Sequence, residues 1–276
     1  MKVRVATLVV LLFIMGLSTA LLMGSGDKYQ VTRGGDSTFV FGSSGRTIKI
    51  NYTVEQKFKF SKEMPEELIK RGYDAKDHIV TIFLDSSTAY SIFHKGKGLV
   101  GVIWGKKSVV EGRIDLVLVK NETGVEKEIR EGNSTYVRGY SSQTYKLVSD
   151  IMPAALSGQL LVHYGDSWIQ WYYLNTKMAE LHAAATFYII YGQAIVNIID
   201  NSWDWYSSYV TRCYLTHGVT GIGSIAGSVR ADGKYMFCLG ALSRQCTMGA
   251  WYTVDVWLNT NPGRYGSDGG TFGCNC

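Results

Sequence analysis

The residues best equipped for chemistry are the five cysteines, Cys213, Cys238, Cys246, Cys274 and Cys276, all in the C-terminal quarter of the chain. Thiolates are soft ligands, and four of them can hold zinc or a cluster. The paired C-x-x-C spacing of a zinc ribbon is absent, so neither a metal nor another cofactor is expected. Outside the cell the same set reads as disulfide staples of a small subdomain, with one cysteine left over if two bridges form. The pairing cannot be read from the spacing. Cys213 with His217 has the residue types of a thiol–imidazole pair, with Asp232 or Asp255 as an orienting carboxylate. That chemistry needs an unbridged thiol. Ser224, in Gly221-Ile222-Gly223-Ser224-Ile225-Ala226-Gly227, fits neither a nucleophile elbow nor a dinucleotide loop. Asp200 and Asp204 sit one helical turn apart and are more simply an exposed helix end. A secreted hydrolase is therefore the third reading, with His217 and Asp255 as its test residues.

The elements that must position these groups fall into three parts. Residues 27–148 carry most of the charge and read as strands. Arg46–Val54, Lys57–Phe60, His78–Leu84, Ala89–Phe93, Leu99–Trp104 and Ile114–Val119 are short alternating, β-branched or aromatic runs. Gly, Asp and Ser punctuate them at Gly42–Gly45, Asp85–Ser87 and Gly96–Gly98. A short helix over Pro65–Lys70, closed by Gly72, is the exception. The expected form is an antiparallel β-sandwich or barrel-like domain.

Residues 149–209 read as helical. A shorter helix runs from Ile151 to His163. A long one, capped by Asp166 or Ser167, runs to about Tyr209, and its stretch Leu181–Ile199 has no charged residue. Leu174, Met178, Leu181, Ala185, Tyr188, Gly192, Ile195 and Ile199 follow at alternating steps of four and three, the spacing of a packed helical seam. Asn175, His182, Thr186, Gln193, Asn197, Asp200 and Asp204 make a polar stripe beside it. A helix apolar on nearly every side is buried in protein or in lipid. The polar stripe and its desolvation cost favour protein. Trp168, Trp171, Trp203 and Trp205 are core aromatics in that reading and interfacial belts in the other.

Residues 210–276 form a glycine-rich tail with a hairpin at Asp232-Gly233, a strand from Tyr252 to Leu258 and a loop-like end. The expected class is thus α+β: a β domain, a long central apolar helix with a shorter one before it, and a disulfide-stapled β tail.

Residues 1–26 read as a signal peptide or N-terminal anchor. Lys2 and Arg4 precede an apolar run, with small residues before possible cleavage at Ala20 or Gly26. Asn51, Asn121 and Asn133 sit in glycosylation acceptor triplets. These features place the protein outside the cell or on its surface. The net charge of +5 is mild, with no basic run behind it, which speaks against nucleic acid as a partner. Self-association, another envelope protein or a membrane is the expected partner, and no small-molecule substrate is expected. The first functional reading is an exported, non-enzymatic structural or interaction protein with an assembly-prone aromatic helix. The alternative rests on layout: a larger leader domain followed by a cysteine-rich segment is similar to bacteriocin precursors of the halocin type. That similarity implies a membrane-active C-terminal peptide and carries over no residue.

Overall fold

The computed structural model describes residues 36–41, 46–51, 57–239, 242–256 and 264–272. For the first two strands and for residues 125–127, 238, 239, 242, 243 and 264–272 only the backbone is described. The signal segment 1–26 and Cys274 and Cys276 lie outside the described residues, as do the side chains of Asn51 and Cys238.

The described chain is nearly all β. A separate hairpin is made by β1 (Asp36–Phe41) and β2 (Arg46–Asn51). The large sheet runs through β3 (Lys59–Ser61), β4 (His78–Phe83), β5 (Thr88–Lys95), β6 (Gly98–Gly105), β7 (Val109–Glu131), β8 (Ser134–Val148), β9 (Leu160–Tyr173), β10 (Thr176–Ile190) and β11 (Ala194–Asp200). Every neighbour in this sheet is the next strand in sequence, and all pairs are antiparallel. A short strand, β12 (Trp203–Tyr206), shares the outer edge of β10 with β11. Among the described residues one α-helix, α1 (Glu66–Lys70), follows β3, and Gly72 ends it at φ 87°; a single 3-10 turn, Ala75–Asp77, leads into β4.

The sheet curls into a near-closed barrel. Its ends meet through side chains: Asn197 Nδ2 donates to the Ile79 carbonyl at 2.8 Å, and the Lys57 amide donates to Gln193 Oε1 at 3.2 Å. Inside lie Ile79, Ile82, Tyr90, Leu147, Leu160, Val162, Tyr188, Ile190 and Val196.

A second sheet, β13 (Val210–Thr220), β14 (Ala226–Leu239), β15 (Leu242–Asp255) and β16 (Arg264–Phe272), packs on the outside of β9 and β10. Its Val229, Tyr235, Met248, Tyr252 and Val254 join Ile169, Trp171, Leu181, Phe187 and Ile189 in one core. Sheet-to-sheet bonds reinforce the packing, among them Ile195 N to the Ser224 carbonyl (2.8 Å) and Gly192 N to the Val256 carbonyl (3.1 Å).

This overturns the α+β expectation. The long central helix is absent, and its span is β9 to β12. On β10 the odd residues Leu181, Ala183, Ala185, Phe187 and Ile189 face the second sheet, while Tyr188 and Ile190 face the barrel interior. A strand buried on both sides loses the alternation that marks a half-buried one, and so reads as apolar all round. The supposed seam is scattered. Leu174 is exposed in a two-residue turn with Asn175, both at positive φ (47° and 64°), as a primed hairpin turn requires. Gly192 sits in the next turn at φ 71°. Met178, Leu181, Ala185 and Ile195 belong to the intersheet core, whereas Tyr188 and Ile199 belong to the barrel.

The polar stripe is dispersed as well. His182 and Thr186 share one sheet face, Gln193 and Asn197 close the barrel, and Asp200 and Asp204 pair with the second sheet. The shorter helix is also absent: residues 151–159 form successive turns and β9 begins at Leu160.

The tail departs from expectation too. Asp232 and Gly233 lie mid-strand in β14, bonded on both sides, and Asp232 pairs with Arg230 at 2.6 Å instead of turning the chain. The loop-like end contains β16. Of the disulfide candidates, Cys246 is a free thiol fully buried in the intersheet core. Cys213, on β13, is disulfide-bonded, so one cysteine of the expected framework does serve as a staple.

Candidate functional site

Four strands of the large sheet, β7 to β10, extend beyond the barrel, and the face that lines its interior becomes an open platform there. Cross-strand register sets its rows. The first is Asn121, Gln143, Tyr164 and Thr186, and the second is Thr123, Ser141, Asp166 and Ala184. The third, Gly139, Trp168, His182 and Trp203, continues onto β12, and the fourth is Val137, Gln170, Glu180 and Trp205. Side chains directly opposite on one face are the contacting unit of a sheet.

The third row is a ladder of rings. Trp168 lies flat over Gly139, where an added Cβ would stand 2.1 Å from Trp168 Cζ2. Trp168 and His182 are 6.5 Å apart, and Trp203 stacks on His182 at 3.8 Å with planes 14° apart. His182 Nδ1 is 2.8 Å from Asp166 Oδ2; with a carboxylate as acceptor, Nδ1 carries the proton. Its other nitrogen, Nε2, is buried without a hydrogen bond and stands 3.9 Å from Glu180 Oε2. Lys177 binds Glu180 and lies 5.3 Å over the Trp205 ring, a cation–π contact. Trp203 and Trp205 are each more than two-fifths exposed, so their outer faces are open.

Beside this ladder the second row forms the floor of a cavity of about 280 Å³. Its floor is low because Ala184 brings little side chain, and Tyr164, Asp166 and Asn201 rise around it. Asn201 comes from the bend between β11 and β12, where its amide bonds the Ala184 carbonyl at 2.8 Å and its Nδ2 reaches Thr186 Oγ1 at 2.9 Å. A larger cavity of about 390 Å³ lies at the β4–β5 turn. Of its two carboxylates, Asp85 is committed to the amides of Ser87 (2.6 Å) and Thr88 (2.8 Å) and Glu67 to the Arg71 guanidinium (2.9 Å), which leaves little for a ligand.

The chemistry sought in the tail is placed elsewhere. His217 Nδ1 lies 2.5 Å from Asp200 Oδ2, not beside Asp232 or Asp255. Burial pushes the Asp200 carboxyl up, but bonds from His217 and Ser202 outweigh it and hold the group below its usual range. Asp204 accepts from Arg212 (2.9 Å) and from the Tyr235 hydroxyl (3.0 Å). Ser224 lies in a turn and its hydroxyl faces the Ala226 amide at 3.4 Å. Burial pushes the Cys246 thiol up to about 12, which makes it inert at neutral pH. Of the acceptor asparagines, Asn133 is exposed in the β7–β8 turn and Asn121 is exposed on the cavity wall.

Among the described residues no group of three His, Cys, Asp or Glu could hold a metal. Asp166 and Glu180 address opposite nitrogens of His182, so they do not converge on one ion. Nor is any of the described helices long and apolar enough to cross a membrane.

Reading the sequence missed Asp166, Glu180 and Trp203 as site residues, although His182 stood in the polar stripe. The signal for β12 was present in Trp203-Asp204-Trp205, a strand alternation with both indoles on one side. No protein-family model matches the chain, and neither a curated protein nor a solved structure matches it.

Proposed function

We propose that the chain is an exported interaction protein that works outside the cell or at its surface without catalysing a reaction, and that the open platform of β7–β10 and β12 is its contact surface. The observation that carries this is the pair of exposed indoles, Trp203 and Trp205, held rigid by His182 and Lys177 beneath them and continuous with the cavity at Asp166. Exposed, pre-organised aromatic rings with polar groups between them are the residue types that dominate contact energies. The hydrolase reading has weaker support. Asp166 and His182 resemble an orienting acid and its base, but Nε2 faces Glu180 and engages no hydroxyl or thiol. The precursor reading is weakened by the core that β14 and β15 share with β9 and β10, since releasing the tail would strip both.

The test is fractionation of the natural protein with envelopes and culture fluid. The mature chain should sediment full length with the envelope or with assemblies, and Trp203→Ala with Trp205→Ala should release it while its melting transition is preserved. A free C-terminal fragment in the fluid, or retention indifferent to both indoles, would overturn the reading.

A further inference from the structure

We infer that the cavity between Tyr164, Asp166 and Asn201 binds a neutral saccharide; this rests on the interaction reading above and names the ligand of its contact surface. Its volume of about 280 Å³ is near the lower end of small-molecule sites, roughly 300–1,000 Å³. The amides of Asn121, Gln143 and Asn201 and the hydroxyl of Ser141 each offer donor and acceptor together. A ligand hydroxyl has the same dual character, so a polyhydroxylated ring matches this lining better than an apolar one.

Charge narrows the class. No Lys or Arg lines the cavity, and Asp166 does, which disfavours phosphates, sulfates and uronates. Asp166 accepts a hydrogen bond from His182 Nδ1, which stabilises the carboxylate in place. Both of its oxygens face His182 Nδ1, at 3.1 and 2.8 Å, and each carboxylate oxygen has a further lone pair with which to accept a ligand hydroxyl in the stronger, charge-assisted kind of bond. Tyr164, 36% exposed, supplies a ring wall for the C–H face of a sugar.

The site is also set before a ligand arrives. Gln143 Oε1 accepts from Tyr145 at 3.0 Å, Asn201 is tied to Thr186 and Asp166 to His182. Side chains already fixed lose little freedom on binding. From the cavity the same face leads over Trp168 and Trp203 to Trp205, which provides ring faces for further sugar units. The geometry therefore points to an oligosaccharide.

The experiment uses the full chain, produced without N-glycosylation, on an array of immobilised neutral and acidic oligosaccharides, followed by calorimetric titration of the neutral glycan bound best. Neutral glycans should be retained and acidic ones not. Asp166→Asn and Tyr164→Ala should each weaken binding about tenfold or more, a loss of about 1.4 kcal/mol. Should Asp166→Asn shift the melting transition, Asn201→Ala serves as the second probe of the same wall. Preference for acidic glycans, binding unaffected by the cavity variants, or no glycan bound would each overturn the inference. An empty array with envelope retention still dependent on Trp203 and Trp205 removes the saccharide and leaves the interaction reading. Retention indifferent to both indoles removes that reading on its own.

Discussion

Gly165, in the middle of β9, faces the second sheet under the ring of Tyr252, and replacing it tests how the two sheets are joined. A Cβ added there would stand 2.2 Å from Tyr252 Cε1 and 2.5 Å from Cδ1, whereas carbon contacts settle at roughly 3.5–4.0 Å. The ring must therefore move by more than 1 Å, roughly, in a packed core. Overpacking of this kind costs about 1–3 kcal/mol. The same shift pulls the Tyr252 hydroxyl from His163 Nε2, now 2.8 Å away, and costs the buried imidazole that partner. That adds about 1–3 kcal/mol. Gly→Ala at an unstrained position returns about 0.4–1 kcal/mol through the unfolded chain. The net loss for Gly165→Ala is roughly 1–5 kcal/mol, which urea denaturation followed by tryptophan fluorescence would resolve. In a Tyr252→Ala background the added methyl meets no ring, and the cost should vanish or change sign. A Gly165→Ala protein within about 0.5 kcal/mol of the parent, or an equal loss in both backgrounds, would refute the packing argument.

His163 is the group whose charge folding resists: burial, with Lys120 adding to it, lowers its pKa to about 3 from the usual 6.5. The unfolded chain binds the proton first, so this contribution is complete above about pH 6.5 and declines by up to about 1.4 kcal/mol per pH unit as the pH falls toward 3. His163→Gln should flatten that acid slope in urea midpoints measured from pH 7 to 4, and an unchanged slope would assign it to other groups. Cys246, buried with its thiol raised to about 12, should resist iodoacetamide at pH 8 in the folded protein and react only on unfolding, as read by peptide mass. Labelling at the rate of a free thiol would place it at the surface. Because Asn121 forms part of the cavity wall, protein carrying a glycan there should bind added oligosaccharide more weakly than the bare form. Equal affinity in paired titrations would separate that asparagine from the site.

The short strands of the first half were legible because their residue types and turn punctuation agree: His78–Leu84, Ala89–Phe93 and Leu99–Trp104 coincide with β4, β5 and β6 to within a few residues. The central strands were not, for a physical reason. Phe187 and Ile189 are covered by the second sheet, while Tyr188 and Ile190 are covered by the barrel. With no face left to water, composition carries no period of two. In a run apolar at nearly every position, a three-and-four spacing can always be found. The turn that would have broken the helix uses Leu174 and Asn175 at positive φ, and leucine gives no warning of it. The site was hidden by distance. Asn121, Ser141, Asp166, His182 and Trp203 come from five strands, and only register places them in adjoining rows. Of the disulfide framework expected in the tail, Cys246 is the member that packing claimed instead.

From β3 to β11 each strand of the large sheet lies beside its predecessor in the chain. A ribosome delivers such a sheet in assembly order: every new strand finds its partner already made, and the loops closed along the way are short. The long step is the meeting of Asn197 with Ile79, 118 positions apart, which requires all the intervening strands. The second sheet is synthesised after that and covers Trp171, Phe187 and Ile189 from outside. A chain halted before Val210 would have a complete barrel wall with an unsealed apolar back. Such a product would be prone to stick to its siblings, so the last quarter of the chain acts for the rest as a resident chaperone.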